Sequence, residues 1–358
     1  MKLLFVTLYI DHVLLFLLRA LAQQVSLRVV HDFDNDWSLQ LAEFGVSTHR
    51  VICKSRFDRR FKAELEQLQR EQPCDLVQCF HGNSQLANVI HWAGRELPIV
   101  GYRGRIGHLK LRESPVAYWS VRNPQLSAVV ANSSAVAAYL ENFRVLKPRN
   151  VQVIPTGVDL EWIQSRAQAA FGLRSRLGLP ADSFVALSMG SLRPVKNFEL
   201  IVEAAKQLAP KDVHFVNLGD SRGWAEKTRG IANLHFLEFE PNPFPAIGEA
   251  DVFVSTSHGE AFGRANIEAM ACGKPVVGPK AGGALDQIEH DVSGRFFQPN
   301  DASDFAGQVL WYRQNPERAT LHGAQAKQRV ERRFSTAAMA ESYLSLYRKV
   351  LAERSAER

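Results

Sequence analysis

Asp251–Gly278 reads DVFVSTSHGEAFGRANIEAMACGKPVVG, and the pattern changes twice within it. Asp251–Ser255 is a short apolar run rich in β-branched residues, which predicts a strand. Glu260-Ala261-Phe262-Gly263 reads as a turn opening a helix that carries Ile267-Glu268-Ala269-Met270. Pro275–Gly278 begins a second strand. Strand, helix and strand in so short a space need a crossover, so the two strands are parallel and the unit is βαβ.

The same alternation runs outward in both directions. Toward the N-terminus, Phe184–Met189, Val213–Leu218 and Leu234–Leu237 read as strands with helices between them. Pro155-Thr156-Gly157 punctuates the chain before this series. Ahead of it lies a first series at Lys2–Leu8, Ser26–His31, Thr48–Cys53, Asp75–Cys79, Pro98–Tyr102, Ser127–Ala131 and Asn150–Ile154. Helical patterns at Val13–Gln23, Asp58–Gln72 and Ser133–Phe143 separate these strands. Ser335–Ala352 is a final amphipathic helix with Met339, Tyr343, Leu346 and Val350 on one face. The fold class expected is therefore α/β, with two Rossmann-like doubly wound domains. Their boundaries fall at residues 1–157 and 158–334, and residues 335–358 form the last helix. Ligands of such sheets bind at the carboxyl ends of the strands, so a cleft between the two domains is the expected site.

Composition agrees with two ordinary cores: 358 residues, 46% hydrophobic and 22% charged. No apolar run reaches the roughly 18–20 residues of a membrane span. Met1–Ala22 is apolar enough to suggest a signal peptide, but Asp11 and His12 interrupt it, so strand, turn and helix are expected instead. Cys53, Cys74, Cys79 and Cys272 fit neither a zinc pattern nor a disulfide framework, and free thiols in a reducing cytoplasm are expected. The net charge is +6, and it lies in one half: residues 1–157 hold 19 Lys and Arg against 13 Asp and Glu, residues 158–358 hold 24 of each. Either the N-terminal half meets something acidic or its basic surface is simply solvated. Within it, Lys54, Arg56, Arg59, Arg60 and Lys62 form either a docking patch for an anionic membrane or phosphorylated acceptor, or a charged helix face.

Chemistry concentrates in two segments. In His258–Gly283, backbone N–H groups at the helix start can cradle a diphosphate or sugar oxygens. Glu260 can accept hydrogen bonds from sugar hydroxyls. Glu268 shares roughly the same face two turns on. The bland alternative is a strand–helix–strand unit with surface glutamates. The second segment, SMGSLRPVKNFELIVEAA at 188–205, has a strand ending in Gly190, a loop, and a helix starting near Asn197. A lysine at 196, beside a helix N-terminus, is badly placed for the dipole unless an anion binds between them.

Together these segments resemble family 4 of the retaining glycosyltransferases, the large GT-B group also called glycosyl transferases group 1. Glu260 and Glu268 match its Glu-x7-Glu motif, with EAMACGKPVV following intact. The resemblance implies that Glu260 contacts the transferred sugar, Glu268 the nucleotide ribose, and Lys196 the diphosphate. Ala261, Phe262 and Gly263 complete the donor-side turn. The family commonly has an arginine directly after the glycine at 190; here that position is Ser191, with Arg193 two positions later either as a substitute or pointing to solvent. Residues 234–257 resemble the strand and loop over the base, which points to Glu238-Phe239-Glu240 for base recognition; Phe239 and Phe244 are otherwise core residues. Val153–Asp159 matches the inter-domain signature, and the C-terminal helix is expected to return to the N-terminal domain. The resemblance is clear over about residues 128–352.

The first domain departs further. The family's Gly-rich loop after the first strand is replaced by Leu8–His12, with no glycine, so close approach to a phosphate there is not expected. His12, His81, Arg103, Arg105 and His108 lie at strand carboxyl ends and are the acceptor-side candidates. Asp32-Phe33-Asp34 contains Asp-x-Asp, a weak metal signal read as a solvated acidic turn, and no metal or cofactor is expected.

The implied activity moves a sugar, with retention, from a UDP- or GDP-sugar to a glycan or lipid-linked acceptor, in polysaccharide or lipopolysaccharide assembly. The implied place is cytoplasmic, peripheral at the inner membrane face, with no nucleic acid as partner. A sugar phosphorylase or nucleotide-sugar epimerase on the same fold, and a non-catalytic partner subunit, stay open as alternatives. Neither half carries Gly-x-Gly-x-x-Gly after its first strand, which argues against a nicotinamide-binding protein.

Overall fold

The computed structural model describes residues 1–94, 96–142 and 151–357. Phe143 and Asn150, at the ends of two predicted elements, lie outside the described residues. The chain divides into two compact units, Met1–Gly157 together with the stretch from Thr336 onward, and Val158–Ser335.

The first unit holds a seven-stranded sheet: β1 (Lys2–Thr7), β2 (Ser26–His31), β3 (Ser47–Arg50), β4 (Leu76–Cys79), β5 (Ile99–Arg103), β6 (Leu126–Ala131) and β7 (Val151–Val153). Its order is β3-β2-β1-β4-β5-β6-β7, parallel throughout. Inner strands such as β1 and β2 are buried at five consecutive positions, the pattern of strands covered by helices on both faces. The helix His12–Ala22 begins where Asp11 accepts the Leu14 N–H, and buries Leu14, Leu15, Leu17, Leu18 and Leu21. Met1–Ala22 is thus a strand and a core helix. The final helix, Thr336–Glu357, adds Met339, Tyr343, Tyr347 and Val350 to the same core, beside Leu14, Leu18 and Phe80. Its Tyr347 hydroxyl donates to Gln78 Oε1 at 3.1 Å, deep in the sheet.

Two expectations need correction here. The third strand ends at Arg50 rather than Cys53, because the Cys53 N–H turns to Asp32 Oδ2 at 2.9 Å and leaves the ladder. Asp32 itself is not solvated: it is 3% exposed and also accepts from Gln85 Nε2 at 3.0 Å. Burial raises its pKa, and these two bonds partly offset the rise. Of the two carboxylates in Asp32-Phe33-Asp34, Asp34 is the one that reaches the surface, where it pairs with Arg50.

The second unit holds a six-stranded parallel sheet: β8 (Phe184–Met189), β9 (Val213–Leu218), β10 (Leu234–Leu237), β11 (Val252–Val254), β12 (Val276–Pro279) and β13 (Gly294–Phe297). Its order is β10-β9-β8-β11-β12-β13. β13 was not predicted; it is a four-residue edge strand with two half-buried positions and carries no clear period-2 signal. At the base of this unit the Glu249 carboxylate accepts the backbone N–H groups of Phe171, Gly172 and Leu173 at 2.7, 3.0 and 2.6 Å. No described helix is long and apolar enough to cross a membrane.

Candidate functional site

In the second sheet the chain runs outward from β8 in opposite directions, to β9 on one side and β11 on the other. A crevice opens at such a switch point, outside the carboxyl ends of the two strands. The loops leaving these ends are Gly190–Asn197 and Ser255–Gly263, the two segments that the sequence singles out.

The loops are stitched together through the backbone. Thr256 Oγ1 donates to the Lys196 carbonyl at 2.8 Å, and the His258 N–H donates to the Val195 carbonyl at 3.1 Å. Pro194–Lys196 forms a single tight turn, Asn197 takes a left-handed φ of +48°, and the helix proper starts at Glu199 rather than Asn197. This places Lys196 beside Glu260, with Nζ donating to Oε2 at 2.9 Å. Burial pushes the Glu260 carboxyl up, but the Lys196 charge and hydrogen bond, with help from Arg193, outweigh it and hold the pKa below the ordinary value. Glu260 is therefore ionised near neutrality, a hydrogen-bond acceptor rather than an acid. Arg193 is exposed on the same loop.

Glu260, Ala261 and Phe262 form an irregular turn, and the helix Arg264–Ala271 begins after Gly263, whose φ of +88° only glycine adopts easily. No side chain caps this helix, and the positive end of its dipole faces the turn that carries Glu260. Glu268 is on the helix and buried. The two glutamates do not share a helix face as expected, because Glu260 lies outside the helix, in the turn. A pocket among these elements is lined by Ser188, Lys196, Phe253, Ser257, Glu260 and Asn266.

Three features here carry no signal in periodicity or spacing. Ser257 Oγ is buried beside the Glu260 carboxylate yet has no partner at hydrogen-bonding geometry. Gly282 and Gly283 clamp the turn from behind: the Gly283 N–H donates to the Glu260 carbonyl at 3.1 Å, and a methyl at 283 would fall 2.5 Å from Phe262 Cα and 2.7 Å from the Ala261 carbonyl oxygen. Ser191, just after Gly190, is engaged by the loop that follows β9, through Asp220 and Arg222. Only the paired glycines could have been noticed, as a break between strand and helix.

Base-side residues separate cleanly. Phe244 is core, 3% exposed, whereas Phe239 stands 77% exposed beyond β10.

In the first unit the switch point lies between β1 and β4. His81 follows β4 and stacks on Tyr9, which follows β1, with ring centroids 4.8 Å apart; its Nδ1 lies 3.3 Å from Thr7 Oγ1. His12 is half-buried at the start of its helix, 6.1 Å from the Trp37 ring. Arg103 is not a surface cation: it is 3% exposed, and its guanidinium donates to the carbonyls of Arg105 and Gly107. Burial, then the neighbouring Arg105, lowers its pKa to about 10. It braces the loop on which Arg105 and His108 are exposed. Among the described residues no three His, Cys, Asp or Glu side chains converge as a metal site would require.

Comparisons with known proteins follow these two units. The family model described as "Glycosyltransferase Family 4" matches residues 11–162, and "Glycosyl transferases group 1" matches residues 172–329. A D-inositol 3-phosphate glycosyltransferase of Saccharomonospora viridis is 29% identical over 246 residues, covering 63% of this chain and 56% of the relative. The corresponding protein of Geodermatophilus obscurus is 32% identical over 202 residues, covering 51% and 44%. The chain thus spans about half the length of these curated relatives. Among solved structures, Anabaena HepE in complex with UDP superposes with a TM-score of 0.80 at 22% identity, covering 98% of this chain and all of that one; its complex with UDP-glucose gives 0.74 at 21%, covering both chains fully.

Proposed function

Since this chain belongs to the family 4 glycosyltransferases, its two halves matching the two models of that family, we propose that it transfers a sugar from a nucleotide diphosphate donor to a glycan or lipid-linked acceptor, with retention of configuration. The observation that carries this reading is the Lys196–Glu260 pair at the β8/β11 switch point, against the uncapped N-terminus of the helix Arg264–Ala271. A cation, an ionised acceptor and the positive end of a helix dipole are what a sugar diphosphate needs at one place.

An arriving diphosphate competes with Glu260 for Lys196. The ammonium turns to the phosphate, and the carboxylate is released to accept sugar hydroxyls. As the glycosidic bond to the phosphate breaks, negative charge grows on the leaving oxygen; Lys196, Arg193 and the helix N-terminus stabilise it. Glu260 is held ionised by a lysine, and so orients the sugar rather than donating a proton. The acceptor attacks from the face the diphosphate leaves, and the leaving phosphate oxygen takes its proton. Glu268 contacts the ribose, and the exposed Phe239 loop meets the base. The basic first unit receives the acceptor near His81 and Arg105, the strand ends where its own crevice opens. A phosphorylated acceptor suits that charge, and the inositol phosphate named for the curated relatives is of that class. UDP is the favoured nucleotide, in line with the UDP-glucose complex of HepE. Work at an anionic membrane face, in lipopolysaccharide or polysaccharide assembly, belongs to the same reading.

A thermal-shift panel of UDP-, GDP- and ADP-sugars, on wild type and Lys196→Ala, tests it. One nucleotide class raises the wild-type midpoint and the substitution removes that shift. No shift with any of them refutes the donor site. Anomeric NMR of the product then decides retention, and conversion of donor without acceptor identifies an epimerase.

A further inference from the structure

Lys196 is neutralised locally by Glu260, so the pair alone offers a diphosphate little net positive charge. A second cation lies on the other side of β8, on the loop that leaves β9. The loop after β9, Gly219–Gly223, is bonded along the loop after β8: the Gly190 N–H donates to Leu218 O and the Leu192 N–H to Asp220 O, both at 2.9 Å. The backbones are so close that a methyl at Gly219 would meet the Gly190 carbonyl at 2.9 Å. Arg222 sits on this loop with a left-handed φ of +48°, a costly conformation for a residue with a long side chain. Asp220 Oδ1 holds it there by accepting the Arg222 N–H at 2.9 Å. The side chain then reaches back across the loops: Nε donates to Ser191 Oγ at 2.6 Å and lies 3.2 Å from Asp220 Oδ2. Both contacts use Nε, so the two terminal amino groups, with four N–H donors, bond to none of the described residues and stay exposed. An exposed ion pair with Asp220 is worth too little to account for the strained backbone. Placing a forked donor set against Ser191 of the β8 loop accounts for it.

We propose that Arg222 binds the donor diphosphate, its guanidinium supplying from the β9 loop the charge that Ser191 does not supply from the β8 loop. Arg222 contacts phosphate oxygens through its terminal amino groups, while Asp220 and Ser191 fix its Nε. This rests on the glycosyl-transfer reading, and the following measurement separates the two.

Isothermal titration is run with UDP, GDP and ADP, and with uridine, guanosine and adenosine, on wild type, Arg222→Ala and the double variant Ser191→Arg/Arg222→Ala, each checked for an unchanged melting temperature. Arg222→Ala is expected to weaken the bound diphosphate by about tenfold, the scale of one charge-assisted contact, and to leave its nucleoside unchanged. An arginine at 191 starts from the place where the Arg222 Nε now ends, so the double variant recovers most of the loss. Unchanged diphosphate affinity in Arg222→Ala overturns this proposal and leaves the donor reading standing. So does an equal loss for nucleoside and diphosphate, which marks Arg222 as a prop for the loop. No recovery in the double variant also counts against it. A wild type that binds none of the diphosphates overturns both.

Discussion

Replacing Gly283 with alanine tests whether the Glu260 turn is positioned from behind. The φ of Gly283 lies in the ordinary helical range, so alanine meets no backbone strain there. The obstacle is steric and unyielding, because every near atom is backbone: Phe262 Cα at 2.5 Å, the Ala261 carbonyl at 2.7 Å, and the Phe262 carbonyl closer still. Real Cβ contacts begin at 3.0–3.4 Å, so the two loops must part by roughly 0.5–1 Å. That strain costs about 1–3 kcal/mol. It also lengthens the 3.1 Å bond from the Gly283 N–H to the Glu260 carbonyl, which ties down the backbone that carries the carboxylate. A displacement of this size in a positioned group costs on the order of a hundredfold in rate. The assay is turnover of the donor identified by the thermal-shift panel, with melting temperature measured alongside. Gly307→Ala is the control: it lies in the helix Ala302–Gln314 with open space around the new methyl, and it gains about 0.5–1 kcal/mol. If Gly283→Ala keeps wild-type melting and wild-type turnover, the clamp does not position Glu260 and the argument from close approach is wrong.

Three further outcomes are expected. Burial pushes the Glu249 carboxyl up, but its three backbone N–H bonds and Arg174 pull it below its usual value. Its contribution to stability is therefore full above about pH 4.5, the unperturbed value, and fades as pH falls through the lower folded value. Glu249→Gln should lower stability by about 1–3 kcal/mol at pH 7, with the gap to wild type closing in acid denaturation curves; a gap constant with pH refutes this. Tyr347→Phe removes a buried hydroxyl from Gln78 and should cost about 1–2 kcal/mol in chemical denaturation, with no change in nucleotide binding. Burial raises all four thiols, Cys53 and Cys74 to about 11, Cys272 to about 12 and Cys79 higher still, so the native protein should react slowly with a thiol reagent at pH 8 and quickly once unfolded.

What was legible in the sequence is what periodicity can encode. Buried strands such as FVALSM and KLLFVT announce themselves as continuous apolar runs, and their alternation with helices implies parallel sheets. β13 escaped because GRFF is half-buried and only a four-residue helix, Ala284–Gln287, separates it from β12. The short Thr48–Cys53 strand was overextended because the side chain that ends it, Asp32, belongs to another strand's exit. At the site, Lys196 stands out as an ill-placed charge before a helix start and Glu260 through its spacing from Glu268. Their pairing does not, since sixty-four positions separate them and only the β8/β11 adjacency brings them together. Arg103 stands among the acceptor-side candidates because sequence shows its charge but not the two carbonyls that claim it.

The final helix completes a core that the first hundred and fifty residues begin. On the ribosome this inverts the usual order, in which the part made first folds first. The unit Val158–Ser335 emerges whole and can close its sheet while the last helix is still in the exit tunnel. The earlier unit waits, with the apolar side of His12–Ala22 uncovered, until Tyr343 and Tyr347 are released. Its exposure to aggregation or to a chaperone is therefore set by how long the ribosome takes to pass from Val158 to beyond Tyr347, and a slow stretch of codons there would lengthen it.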